Sequence, residues 1–151
     1  MEPFDSFPGG GRNPFGDSDK LNWTNSRHGV ALQVRNTTSQ SACAYCGLKL
    51  DDAYEHWLLV QVDHVVPVNV GKALEVPLSY LWDSMNLVLA CSGCNGYGNR
   101  FGVTDSPTKP HMWTDETFVS FRDEVFRRRF DRIAERREQE RQFFEQYWRK
   151  Q

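Results

Sequence analysis

The sequence predicts a small α+β protein. Three observations carry that prediction. Trp57–Val62 is an apolar run rich in β-branched residues, which suits a strand. Two Cys-x-x-Cys pairs, Cys43/Cys46 and Cys91/Cys94, use every cysteine in the chain. From Thr114 to about Trp148 no Gly or Pro interrupts a helical pattern. The 151 residues suffice for one compact domain with appendages, and 39% hydrophobic content allows only a small core.

The formal net charge of -2 provides no global attraction to nucleic acid, so any such binding needs a local positive patch or a metal ion. The first residues, Met1-Glu2-Pro3-Phe4-Asp5, lack the basic and apolar regions of a secretory signal, and no run is long enough to span a bilayer. The expectation is therefore a cytoplasmic protein with no membrane partner. In a reducing compartment the cysteines favour Zn2+ over disulfides, and no βαβ context supports a thioredoxin-like redox motif.

In chain order, residues 1–20 are rich in Gly, Pro, Asn and Asp and read as a flexible N-terminal arm. A domain over 21–113 follows. A helix is expected from Thr24 to about Asn36, capped by Thr24, Asn25 or Ser26, with Val30, Ala31 and Val34 on its apolar face. Polar residues 37–41 end it. Cys43-Ala44-Tyr45-Cys46-Gly47 resembles a zinc knuckle, with Gly47 free to adopt the positive φ of a tight turn.

The strand from Trp57 delivers Asp63 and His64 at its end, and Val65–Val68 suggests a short return strand. In the insert from Asn69 to Met85, Pro77 suits the start of a short helix carrying Leu78, Leu81 and Trp82. Asn86–Cys91 leads into the second knuckle, a short helix follows Cys94, and 101–113 reads as a loop. The last unit, 114–151, is a charged helix. Thr114 caps it, Asp115 and Glu116 complement its dipole, and Asp123/Arg127, Glu124/Arg128 and Glu145/Arg149 form i,i+4 pairs.

Four thiolates, a carboxylate, an imidazole and a carboxamide within one stretch suggest two metal sites: a closed sulfur site and an open oxygen site. Cys43-x-x-Cys46, Val62-Asp63-His64-Val65-Val66-Pro67, Asn86-Leu87 and Cys91-x-x-Cys94-Asn95 together resemble the zinc-containing HNH endonuclease motif in its HNN variant. The resemblance spans residues 43–100 as a motif pattern.

It implies a zinc-stabilised ββα-metal (His-Me finger) core with flanking helices. It also implies a metal-dependent enzyme that hydrolyses DNA to 5′-phosphate and 3′-hydroxyl ends. Carried over by position, His64 is the general base, and Asp63 and Asn95 hold a catalytic Mg2+ or Mn2+. Asn86 orients the hairpin loop, and Cys43, Cys46, Cys91 and Cys94 hold structural Zn2+.

The chain departs from the pattern at Gly98, where many relatives carry a basic residue; Arg100 is the substitute candidate for phosphate contact, with Lys72 in the insert as a second. The alternative is a non-catalytic zinc module that binds nucleic acid or protein through a decayed site. Tyr45, Tyr97 and Trp82 are expected to pack around the zinc, with stacking on bases as the alternative. The arginines of the last helix read as a solvated, ion-paired face. Other readings are a DNA-tracking surface through Arg127-Arg128-Arg129 and Arg136-Arg137, or a homodimer or partner contact through Phe143, Phe144, Tyr147 and Trp148.

Overall fold

A two-stranded antiparallel sheet, β1 (Val60–His64) and β2 (Leu87–Cys91), stands between helices in a mixed α and β arrangement; Val60 pairs with Cys91 and His64 with Leu87. The computed structural model describes residues 27–98 and 100–149; the expected arm over 1–20 and the caps Thr24, Asn25 and Ser26 lie outside them.

Helix α1 (Arg27–Thr38) packs on both strands, burying Ala31 and Val34. It ends at Ser39, whose φ of 58° turns the chain left-handed while its N–H returns to the Arg35 carbonyl at 2.8 Å. A helical turn, α2 (Tyr54–Trp57), precedes β1. The expected strand from Trp57 therefore starts three residues later, at Val60. The reason is register: β2 ends at Cys91, opposite Val60, and offers earlier residues no strand partner.

The segment joining β1 to β2 holds α3 (Val68–Ala73), α4 (Leu78–Leu81) and a 3-10 turn at Ser84–Asn86. The return strand expected over Val65–Val68 does not form. Asn86 takes the Val65 N–H on its backbone carbonyl and the Val66 N–H on its side chain, each at 2.9 Å, and Pro67 leads directly into α3. Pro67 and Pro77 stand immediately before α3 and α4, where a missing N–H costs nothing. The two helices meet closely: a Cβ on Gly71 would lie 2.5 Å from a Leu81 methyl.

After β2 comes α5 (Ser92–Gly98), packed on the long α6 (Asp115–Phe143), which ends in a π-helical turn at Phe144–Trp148. Thr114 caps α6 as expected, accepting the Thr117 N–H at 3.2 Å. Phe118, Phe121, Val125, Phe126 and Ile133 bury its first half in the same core as Leu81, Leu87 and Val88. Beyond Ile133 its residues are largely exposed, including Phe143, Phe144, Tyr147 and Trp148. The expected Asp123/Arg127 pair is replaced: Arg127 reaches Glu124, and Asp123 accepts from the buried Arg122. Among the described residues no helix is long and apolar enough to cross a membrane.

Candidate functional site

The four cysteines converge although 44 residues separate Cys46 from Cys91. Their Sγ atoms all lie within 4.8 Å of one another, and Cys46 and Cys91 are 3.8 Å apart. A tetrahedral Zn2+ with Zn–S bonds near 2.3 Å needs sulfur separations of about 3.8 Å. The cluster can therefore hold a metal such as zinc. No disulfide links the thiols. Their mutual hydrogen bonds pull Cys91 far down and Cys46 to about 7, while Cys43 and Cys94 are pushed up. Thiols this close cannot all ionise without a cation between them.

Local geometry builds the first knuckle as the sequence suggests. Gly47 has φ 74° and its N–H returns to the Cys43 carbonyl at 2.9 Å, while Cys43 N–H reaches the Leu48 carbonyl at 2.8 Å. The knuckle docks on the free edge of β2, where Ala44 N–H donates to the Leu89 carbonyl at 2.9 Å. Buried Gln40 completes that edge. Its amide accepts from Leu89 N–H at 2.9 Å and donates to Leu89 O at 2.8 Å, imitating a strand partner. Arg137 of α6 donates to Cys94 Sγ at 3.5 Å. Burial disfavours its charge, but the surrounding thiols outweigh that and hold it cationic. It thus offsets negative charge on the cluster.

Asp63 is the second centre. Its carboxylate is only 5% exposed and is gripped by the equally buried Arg129 of α6: Nη1 to Oδ2 at 2.9 Å and Nη2 to Oδ1 at 3.0 Å. Arg129 Nη1 also donates to the carbonyls of His64 and Val65, both at 2.8 Å. Burial opposes the Arg129 charge, yet Tyr45 and Asp63 more than restore it. Tyr45, between the two cysteines of the first knuckle, donates its hydroxyl to Asp63 Oδ2 at 2.5 Å and packs on Phe126.

His64 follows on the neighbouring position of β1. Its ring meets Trp82 edge-on, with centroids 4.5 Å apart at 84°, and its Nε2 is buried without a hydrogen-bond partner among the described residues. Burial pushes its pKa below 6.5; Asp63 opposes that shift and Arg129 reinforces it. The imidazole is thus neutral near pH 7, as a proton acceptor must be. Trp82 is 51% exposed against His64, not packed around the cysteines as expected.

Asn86 is completely buried. Its amide donates to the carbonyls of Val66 at 3.1 Å and Leu81 at 3.0 Å and accepts from Val66 N–H at 2.9 Å. It therefore fixes the backbone immediately after His64.

Asp63, His64, Asn69, Asn95 and Arg129 border one pocket of about 260 Å³ between the end of β1, the start of α3, and α5. Asn95 lies on the first turn of α5 and is partly exposed. Lys72 and Arg100 are exposed and do not line this pocket. Gly98 closes α5, and Asn99 lies outside the described residues.

The arginine-rich helix divides into two sets. Arg127 and Arg128 pair with Glu124, Arg132 with Asp105, and Arg136 with Glu140. Arg122 and Arg129 instead point inward: Arg122 donates to the Met85 carbonyl at 2.7 Å, and Arg129 holds the His64 end. The buried partners of these two, and those of Gln40 and Tyr45, are not anticipated by the sequence. Spacing offered a clue for the arginines. Positions 122 and 129 share the α6 stripe with Phe118, Val125 and Ile133, a helical face that repeats over two turns.

No family profile, no curated protein and no solved structure matches this chain.

Proposed function

We propose that the protein is a metal-dependent DNA endonuclease of the HNH type, built on a zinc-stabilised ββα-metal core. The observation that carries this reading is the shared pocket: Asp63, His64 and Asn95 border it together, beside a four-cysteine cluster. The strand–strand–helix order β1, β2, α5 and the buried Asn86 behind the His64 loop agree with it.

Phosphodiester hydrolysis needs a deprotonated water, charge stabilisation on phosphorus and relief of the leaving alkoxide. Neutral His64 accepts the proton of the attacking water. The hydroxide oxygen bonds to phosphorus and the bond to the 3′ oxygen breaks. That oxygen takes a proton from solvent, leaving 3′-hydroxyl and 5′-phosphate ends. Asp63 Oδ1 and the Asn95 carboxamide would hold Mg2+ or Mn2+, which supplies Lewis acidity to the phosphate and the leaving oxygen. Asp63 has room for it. Among the described residues Oδ2 already accepts from Arg129 and Tyr45, whereas Oδ1 accepts from Arg129 alone and keeps a lone pair. Arg100 and Lys72, outside the pocket, are the proposed outer contacts to DNA.

The test is supercoiled plasmid incubated with the zinc-loaded protein and Mg2+ or Mn2+. Nicked or linear products with ligatable 5′-phosphate ends are expected, and no cleavage with any divalent ion would defeat the reading. One observation favours a second reading, a non-catalytic zinc module: Asp63 is already committed to Arg129 and Tyr45. Anomalous scattering from Mn2+-soaked crystals separates the two. The nuclease needs an ion at Asp63 and Asn95, distinct from the sulfur-bound one.

A further inference from the structure

Arg129 is not a surface cation that happens to touch Asp63. Its side chain is 2% exposed, and its two terminal nitrogens make four hydrogen bonds: to both Asp63 oxygens and to the carbonyls of His64 and Val65. The carbonyl contacts hold the guanidinium in place independently of the carboxylate. It cannot swing away when a second cation approaches without leaving the buried Val65 carbonyl and the part-buried His64 carbonyl short of a donor.

Among the described residues the pocket has one carboxylate, Asp63, and one guanidinium, Arg129; its other polar side chains are His64, Asn69 and Asn95. The carboxylate and the guanidinium therefore cancel. Among the described residues, Oδ2 of Asp63 is filled by Arg129 and Tyr45, which leaves Oδ1 as the pocket's one carboxylate oxygen with a vacant lone pair. A dication there would share its single carboxylate with a fixed cation. Mg2+ and Mn2+ favour anionic oxygens and complete their shells with phosphates where protein oxygens are few.

We infer that Arg129 is a positioning residue that keeps the Asp63 cation site charge-neutral in the free protein, so that a divalent cation binds weakly until a phosphodiester brings further oxygens. The inference rests on the endonuclease reading and adds to it a mutual dependence between metal and DNA. Linkage makes that dependence reciprocal: DNA tightens the ion by the factor by which the ion tightens DNA. The net-neutral site also limits capture of free metal by the empty protein.

The experiment measures Mn2+ binding to the zinc-loaded protein by electron paramagnetic resonance, with Asp63→Asn defining the contribution of this site. Arg129→Gln removes the competing cation and should tighten Asp63-dependent Mn2+ binding at least tenfold. Because that variant leaves a buried carboxylate unpaired, at a cost to folding, Tyr45→Phe is the second probe. It removes one donor from Oδ2 while preserving shape and charge, and should tighten Mn2+ several-fold. In His64→Ala protein, a short mixed-sequence DNA duplex should tighten Mn2+ at least tenfold.

Unchanged Mn2+ affinity in the folded variants, or no effect of the duplex, overturns the role given to Arg129 while Asp63-dependent binding keeps the nuclease reading alive. Absence of any Asp63-dependent Mn2+ site, with and without DNA, defeats the nuclease reading itself.

Discussion

The Tyr45 hydroxyl donates to Asp63 Oδ2 at 2.5 Å, joining the first cysteine knuckle to the end of β1. Tyr45 lies between Cys43 and Cys46, so whatever fixes those two sulfurs also fixes a donor to Asp63. With Arg137 on Cys94 and Arg129 on Asp63, helix α6 ties the two centres together from the other side.

Zinc removal should therefore do more than loosen a turn. Structural Zn2+ contributes about 10 kcal/mol or more of folding free energy in small domains. The purified protein should contain one zinc per chain, and chelation should abolish its cooperative thermal transition. Retention of that transition in metal-free protein would show that the cysteines do not bear on the fold.

Asn86→Ala should destabilise the protein by about 2–4 kcal/mol, because a buried amide N–H and two carbonyls each lose a partner. Urea denaturation measures it. A loss under about 0.5 kcal/mol would mean that the His64 loop is held by other contacts.

Gly71→Ala tests the packing of α3 on α4. A Cβ there sits 2.5 Å from Leu81 Cδ2 and 3.1 Å from its Cγ, and Leu81 is fully buried, so the whole side chain has to shift within the core. Overpacking of this kind costs about 1–3 kcal/mol, readable as a lowered melting temperature, whereas a neutral or stabilising result would place the two helices further apart.

The pH dependence has a fixed sign. Burial lowers the His64 pKa below 6.5, so the base is unprotonated through neutral pH and cleavage should fall only on acidification below that value. A cation bound beside it shifts the limb in the same direction. The same depressed pKa contributes stability that is fully present above 6.5 and lost as pH falls through it, because the unfolded chain takes up the proton first. A rate limb centred above pH 7 would contradict this.

What the sequence made legible was local. The Cys-x-x-Cys spacings, the positive φ at Gly47, the Thr114 cap and the delivery of Asp63-His64 at a strand end all depend on a few neighbouring residues. Non-local partners were not legible. Gln40 reaches Leu89 and Arg129 reaches Asp63, pairings 49 and 66 residues apart that no spacing rule announces. Arg129 was the more misleading because Arg127 and Arg128 beside it are exposed and ion-paired, which makes the run look like a solvated face. The early start expected for β1 failed for a related reason: an apolar run shows where a strand is possible, but the reach of its partner decides where it begins.

The central claim is that the Asp63–His64–Asn95 pocket hydrolyses phosphodiesters with His64 as base. The direct measurement is the single-turnover rate of plasmid nicking by wild-type and His64→Ala proteins at equal zinc content and matched thermal stability, with saturating Mn2+. Loss of a general base should slow nicking by about 10²- to 10⁴-fold. Equal rates would contradict the claim and place the chemistry elsewhere.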